Sequence, residues 1–306
     1  MAFGTGDHRY EVADLWAKRP SGWTFVDVVG VAIDSQDNVY VFNRGAHPVM
    51  VFDREGNFLH AWGEGVFTRP HGITIGPDDS VYCSDDKDHT VRKCTTEGRV
   101  LMTLGTPNMY SDTGYTGRDY RTIKRGGPPF NRPTKVALGP SGEIYVSDGY
   151  GNARVHKFSP EGELLFSWGE PGDSPGQFNL PHSVVVDKQG RVYVADRENN
   201  RIQLFTSDGE FISLWGDLLR PDDICLDTDQ TLYVAELSHR VSIFDLDGRL
   251  LARWGDDEPN LDAGHFVSPH GTAVDSRGDL YVGEVCETNA GIDRGSRALQ
   301  KFVRVR

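Results

Sequence analysis

The sequence predicts an all-β protein of the six-bladed β-propeller class. Two observations support this prediction: a unit of about 40 residues recurs six times, and each copy holds four short runs with strand-like alternation. Gly, Asp, Asn and Ser turns separate these runs, and no helical stripe interrupts them. Radially repeated sheets of four antiparallel strands form a propeller. We therefore predict a single domain over residues 1–306.

The copies are recognised by features that recur at fixed positions. Their first strands begin near Val28, Pro70, Pro133, Pro181, Pro221 and Pro269. Their second strands carry a tyrosine, at Tyr40, Tyr82, Tyr145, Tyr193, Tyr233 and Tyr281. Most fourth strands end in Trp-Gly, as at Trp62 and Trp254. This regularity predicts the order of four strands in every blade.

The sixth copy stops after its third strand, within residues 298–306. The N-terminal segment Tyr10–Trp16 resembles the missing fourth strand, as a comparison with Phe211–Trp215 shows. We predict that this segment completes the last blade and removes an exposed sheet edge.

One insertion, residues 106–129, interrupts the period between the second and third copies. It carries Tyr110, Tyr115 and several arginines among glycines. A loop of this length is usually functional or disordered. Because it joins a fourth strand to a first strand, we expect it on the face of the propeller where first strands begin. There it would shape the specificity for a substrate.

Composition excludes several classes of partner. The formal net charge of −13 argues against a nucleic-acid partner, since phosphate binding relies on Lys and Arg clusters. No apolar run is long enough to cross a membrane. The N-terminus lacks the pattern of a secretory signal, so we expect a cytoplasmic protein. Cys83 and Cys94 lie on adjacent strands, where a disulfide is conceivable and free thiols are favoured.

Three histidines dominate the functional prediction. His71, His182 and His270 each follow a proline at the start of the second, fourth and sixth copies. Alternate members of a six-fold ring lie about 120° apart, so three side chains at this register converge on the axis. Three imidazoles with an open fourth position are the arrangement of a catalytic zinc site.

Each histidine alone is equally compatible with a packing or turn role. In the other three copies the equivalent residues are Val29, Thr134 and Asp222. Asp222 is open to three interpretations: a fourth ligand, an acceptor behind the ligands, or a solvated aspartate.

The ends of the second strands lie on the same predicted face as the histidines. Acids recur there in five of six copies, which favours a structural role in accepting backbone N–H bonds from the turn that follows. Arg44, Arg197 and Tyr150 do not recur in every copy, and they are therefore the better candidates for chemistry.

The repeats resemble NHL repeats, and the closest likeness is to the peptidyl-α-hydroxyglycine α-amidating lyase family. The resemblance spans most of the chain and rests on Val41–Gly45, Pro70–Ile73, Val146–Arg154, Gly176–Ser183, Ala195–Gln203 and Pro269–His270. It implies a six-bladed propeller with zinc held by three histidines. It also implies a catalytic tyrosine and two substrate-binding arginines. The corresponding residues are His71, His182 and His270 for zinc, Tyr150 for the tyrosine, and Arg44 and Arg197 for the arginines.

The same family holds a structural calcium, partly through backbone carbonyls that would correspond to Val31 and Ile73. Its aspartate ligand is replaced by Gly271, which argues against calcium in this chain. A site methionine is replaced by Ser268, and a disulfide-forming cysteine is replaced by Gly151.

The resemblance implies a lyase that splits a carbinolamide, an N-hydroxyalkyl amide, into an amide and an aldehyde. The expected substrate is a small molecule, and molecules that carry a carboxylate are among the candidates. The expected metal is zinc or another divalent transition metal. Two alternatives stay open: a metal-dependent hydrolase on the same histidines, and a non-enzymatic NHL interaction platform. Lactonase-type propellers fit less well, because their calcium ligands are acidic and amide groups.

Overall fold

The computed structural model describes residues 2–305, which form a six-bladed β-propeller, as predicted. Each blade is a sheet built on four antiparallel strands. The strands are β1 (Ala2–Thr5), β2 (His8–Ala13), β3 (Val28–Ile33), β4 (Val39–Asn43), β5 (Val49–Phe52), β6 (Phe58–Trp62), β7 (Pro70–Ile75), β8 (Val81–Asp85), β9 (Thr90–Cys94), β10 (Val100–Leu104), β11 (Pro133–Leu138), β12 (Ile144–Asp148), β13 (Arg154–Phe158), β14 (Leu164–Trp168), β15 (Pro181–Val186), β16 (Val192–Asp196), β17 (Arg201–Phe205), β18 (Phe211–Trp215), β19 (Pro221–Leu226), β20 (Leu232–Glu236), β21 (Arg240–Phe244), β22 (Leu250–Gly255), β23 (Pro269–Val274), β24 (Leu280–Glu284) and β25 (Leu299–Arg304).

Helical structure is confined to short segments. One α-helix, α1, spans Cys286–Ala290, and 3₁₀ turns lie at Tyr120–Thr122, Arg197–Asn199 and Gly295–Ala298. No helix within residues 2–305 has the length and apolar character needed to span a bilayer.

The chain divides into two compact units. The unit Phe67–Pro221 contains blades 2, 3 and 4, formed by β7–β10, β11–β14 and β15–β18. The other unit combines Met1–Val66 with Asp222–Arg306. It contains blade 1 (β3–β6), blade 5 (β19–β22) and blade 6 (β23–β25 with β2 and β1).

Blade 6 is closed by the N-terminal segment, which confirms the prediction. Strand β2 pairs antiparallel with β25, with Val12 opposite Phe302. Strand β2 spans His8–Ala13, so it begins two residues before the predicted segment Tyr10–Trp16 and ends three residues before its end. Strand β1 adds a fifth strand outside β2, which the repeat pattern could not predict because no other copy has one.

The recurring Asp and Tyr of the repeat have a common structural cause. In blade 4, Asp187 accepts backbone N–H bonds from Gln189 and Arg191 across the turn that joins β15 to β16. Gly190 lies in this turn at φ +82°, where side chains are strained. The other Asp187 oxygen accepts the hydroxyl of Tyr193 at 3.1 Å. Asp and Tyr therefore fix the turn between the first two strands from inside the core.

The four cysteines are free thiols in the structure. In the β8–β9 pair Cys83 lies opposite Arg92, and Cys94 lies opposite Val81. The two thiols are therefore offset along the hairpin rather than directly opposite each other.

Candidate active site

Each predicted metal-binding histidine is the second residue of a first strand and is buried. The pairing of first and second strands shifts register at all three positions, between Pro70 and Ile73, Pro181 and Ser183, and Pro269 and Gly271. A bulge of this kind re-aims a side chain. The local backbone therefore accounts for a polar side chain at the start of an otherwise apolar strand.

Two of the imidazoles are oriented by backbone carbonyl groups. His71 donates through Nδ1 to the carbonyl of Thr134 at 2.9 Å, and His270 donates through Nδ1 to that of Val29 at 2.8 Å. A donor Nδ1 on a neutral imidazole leaves the Nε2 lone pair available as a ligand.

Tyr150 lies between two histidines of the unit 67–221. Its hydroxyl is 3.2 Å from Nε2 of His71 and 3.0 Å from Nε2 of His182. Its ring meets both imidazoles edge-on, at centroid distances of 5.2 and 5.4 Å. The structure thus places the predicted tyrosine at the nitrogen atoms of two predicted ligands.

Two flanking glycines allow the Tyr150 segment to approach its neighbours closely. A Cβ on Gly149 would lie 2.4 Å from the Pro181 carbonyl oxygen, and one on Gly151 would lie 2.2 Å from Oδ1 of Asn131. Gly151 donates its N–H to the Asn131 carbonyl, and Thr113 of the insertion donates its hydroxyl to the Gly151 carbonyl. Hydrogen bonds hold this segment where the resembling family has a disulfide.

Two guanidinium groups flank the Tyr150 ring. Arg197, a predicted site residue, lies 5.5 Å from the ring centroid. Arg132, which the sequence did not single out, lies 5.4 Å from the same centroid. Both distances fall within the range of cation–π attraction. Arg132 follows the insertion at φ +72° in an irregular segment, and no repeat position marks it.

Glu198 holds Arg197 in place. Arg197 donates through Nε to Glu198 at 2.8 Å, and Arg220 donates to the same oxygen. Burial alone would raise the pKa of Glu198, but Arg197 and Arg220 outweigh it, so its pKa lies below the ordinary value. Glu198 is therefore an ionised partner for Arg197 at neutral pH.

The unit that contains residues 222–305 places His270 beside Asp222. Nε2 of His270 is 3.6 Å from Oδ2 of Asp222, and the carboxylate is fully buried. The interpretation of Asp222 as a solvated aspartate is therefore wrong. Arg44, also in this unit, donates to Asp27 and to Thr288, each at 3.2 Å.

The three predicted histidines are buried, with His71 and His182 in the unit 67–221 and His270 in the other unit. Imidazole nitrogen atoms are suitable ligands for a divalent transition metal, and His71 and His270 are each oriented through Nδ1. The donor chemistry therefore fits a metal of this kind.

The position that corresponds to the aspartate ligand of calcium has little room for a side chain. A Cβ on Gly271 would lie 2.8 Å from Cα of Gly30, so no aspartate is accommodated there without a shift of β3. Calcium binds through oxygen ligands, with carboxylates prominent among them. The histidine group includes no carboxylate.

The acids at the ends of second strands accept backbone hydrogen bonds, as expected. Most of the N–H donors lie in the segment that leads into the first strand, and not in the turn that follows the acid. Asp85 accepts N–H bonds from Thr68 and Arg69, the residues that lead into β7. Asp196 accepts from Asn179 before β15, and Glu284 accepts from Val267 and Ser268 before β23. Each acid thereby anchors the backbone that leads into a histidine. Asp85 also accepts N–H bonds from the turn that follows it, at Lys87 and Asp88.

Comparisons with known proteins agree with the repeat analysis. The NHL repeat family model matches residues 130–158 and 178–205. Human NHL repeat-containing protein 3 is 33% identical over 310 residues, which cover 94% of this chain and 82% of that protein. Peptidyl-alpha-hydroxyglycine alpha-amidating lyase 1 of Drosophila melanogaster is 34% identical over 180 residues, 55% of this chain and 31% of that protein.

Similar solved structures include a gluconolactonase from Xanthomonas campestris. It superimposes with a TM-score of 0.65 at 15% identity, over 97% of this chain and 90% of that chain. At this identity the likeness concerns the propeller fold alone.

Proposed function

This chain belongs to the NHL-repeat family that includes NHL repeat-containing protein 3, and we propose that it is a metal-dependent lyase for a small carbinolamide. His71, His182 and His270 would hold zinc or another divalent transition metal. The observation that carries the proposal is the position of the Tyr150 hydroxyl, 3.2 and 3.0 Å from the Nε2 atoms of two of these histidines. Amidating lyases among the relatives support the reaction class.

The reaction breaks the C–N bond of an N–C(OH) unit. The hydroxyl loses its proton, its oxygen becomes the carbonyl oxygen of an aldehyde, and the nitrogen gains a proton to become an amide. A divalent metal bound by the histidines supplies Lewis acidity, which makes a hydroxyl easier to deprotonate. Deprotonated Tyr150 would take up that proton as a general base, which returns the tyrosine to its hydroxyl form.

Arginine side chains would bind and orient the substrate. Arg197 lies 5.5 Å from the Tyr150 ring centroid, and Glu198 fixes the direction of its guanidinium group. A guanidinium group recognises a carboxylate through paired hydrogen bonds. We propose the same role for Arg44, which Asp27 and Thr288 orient within its own unit. The proposed substrate therefore carries a carboxylate beside the reacting carbon.

Product analysis with N-benzoyl-α-hydroxyglycine tests the proposal. A lyase converts this compound into benzamide and glyoxylate without consuming water. Liquid chromatography is expected to show both products in equal amounts, at a rate above that of the buffer. Formation of benzoate would instead indicate a hydrolase on the same histidines. If the metal-loaded protein forms neither benzamide nor benzoate, the proposed function is contradicted, and an interaction role becomes the better explanation.

A further inference from the structure

The insertion contributes the wall of a cavity next to Tyr150. The cavity has a volume of about 450 Å³ and lies within the unit 67–221. Tyr110, Tyr115 and Thr116 of the insertion line one part of it, and Lys87 and Arg132 line another. This volume is in the range that holds a small organic group.

We propose that this cavity is a specificity subsite for an acidic group on the acyl part of the substrate. The inference rests on the proposed function for the identity of the reacting group. It is carried by the charge and shape of the cavity and by its connection to Tyr150.

Charge favours an anion at this site. The lining contains two cationic side chains, Lys87 and Arg132, and no carboxylate. The acids behind the wall have cationic partners: Asp86 forms ion pairs with Arg69 and Arg132, and Asp88 pairs with Arg92. Lys87 is exposed at the cavity, so its ammonium group can reach a ligand.

His89 adds no positive charge to this wall at neutral pH. Burial lowers the pKa of His89 below its ordinary value. Its Nδ1 accepts the backbone N–H of Arg132 at 3.1 Å, which requires the neutral imidazole. His89 therefore fixes the Arg132 backbone, and Lys87 supplies the charge for a bound anion, since Arg132 is paired with Asp86.

Arg132 connects the cavity to the proposed reaction site. Its guanidinium donates to the hydroxyl of Tyr115 at 3.0 Å, on the insertion side. The same group lies 5.4 Å from the ring centroid of Tyr150. In the proposed arrangement, the acyl group of a substrate bound at Tyr150 would extend past Arg132 toward Lys87. The aromatic rings of Tyr110 and Tyr115 offer flat apolar surfaces for the body of that group.

Isothermal titration with two non-reactive ligands tests the subsite. N-(4-carboxybenzoyl)glycine and N-(4-carbamoylbenzoyl)glycine lack the reactive hydroxyl, and they differ only in the charge of the distal group. We expect the metal-loaded protein to bind the carboxylate about tenfold more tightly, the effect of one charge-assisted hydrogen bond. In Lys87→Met the two affinities should agree within about twofold. Arg118→Met, an exposed insertion residue outside the cavity lining, is the matched control and should keep the preference.

Equal affinity for the two ligands in the unaltered protein would overturn the subsite. A preference that persists in Lys87→Met would do the same. These results are independent of turnover, because neither ligand can be cleaved. A charge preference without any benzamide from N-benzoyl-α-hydroxyglycine would retain the subsite and reject the lyase. Benzamide formation without a charge preference would retain the lyase and reject the subsite.

Discussion

The even-numbered and odd-numbered blades share one backbone and differ in what they place at the start of the first strand. The register shift seen at the histidines also occurs in blades 1 and 3, between Val28 and Gly30 and between Pro133 and Lys135. The bulge is therefore a property of the repeat, and the residue type determines its use. A repeated scaffold can thus carry a site on alternate copies without a change of fold.

The odd-numbered blades support their neighbours instead of supplying ligands. Thr134 of blade 3 provides the carbonyl that orients His71 of blade 2. Val29 of blade 1 provides the carbonyl that orients His270 of blade 6. In both cases the support comes from a backbone carbonyl group. The hydroxyl of Thr134 has a separate role, because it hydrogen-bonds Ser147 and the Pro181 carbonyl.

Removal of the Tyr150 hydroxyl is expected to have the largest effect on turnover. Tyr150→Phe should keep the metal and lose on the order of 10²–10⁴-fold in kcat, because a general base is removed while the histidines stay in place. Steady-state assays of benzamide formation and metal analysis of the same sample measure the two quantities.

The matched control for this variant is Tyr145→Phe, on the second strand of the same blade. It removes a hydroxyl that donates to the Ser207 carbonyl, away from the histidines. We expect its turnover to stay close to that of the unaltered protein. An unchanged kcat in Tyr150→Phe would exclude the tyrosine from the mechanism.

A smaller effect is expected from the acid that anchors the segment before His71. In Asp85→Asn an amide group replaces one of the two carboxylate oxygens that accept the N–H groups of Thr68 and Arg69. The segment that precedes β7 therefore loses one hydrogen bond. We expect metal affinity to fall about 10–100-fold, as it does when groups that orient ligands are altered. Titration of zinc against a chelating dye measures the change.

The matched control is Glu236→Gln, at the same position of blade 5, where the first strand carries no histidine. Glu236 pairs with Arg240 and Ser242, so its loss should lower stability without weakening the metal. If both variants lower metal affinity equally, the acids act only on overall stability, and the distinction between blades is wrong.

The repeat could be predicted from the sequence because each blade has the same alternation of apolar residues and similar turn residues. All six first strands begin at the predicted residues, and in five of them a proline marks the start. The three histidines could be recognised because they occupy one register in alternate copies. Residues outside the repeat had no such signal. Arg132 reaches Tyr150 from an irregular segment, and the N–H partners of Asp85 lie 16 and 17 residues earlier in the chain.

The central claim is that histidines from alternate blades bind one transition metal, and metal analysis of the purified protein tests it most directly. We expect about one zinc or other divalent transition metal per chain, with X-ray absorption showing nitrogen ligands at about 2.0–2.1 Å. His182→Ala should lose that metal, whereas His60→Ala, on an outer strand of blade 1, should retain it. A protein that binds no transition metal, or that binds it equally well in His182→Ala, would contradict the account.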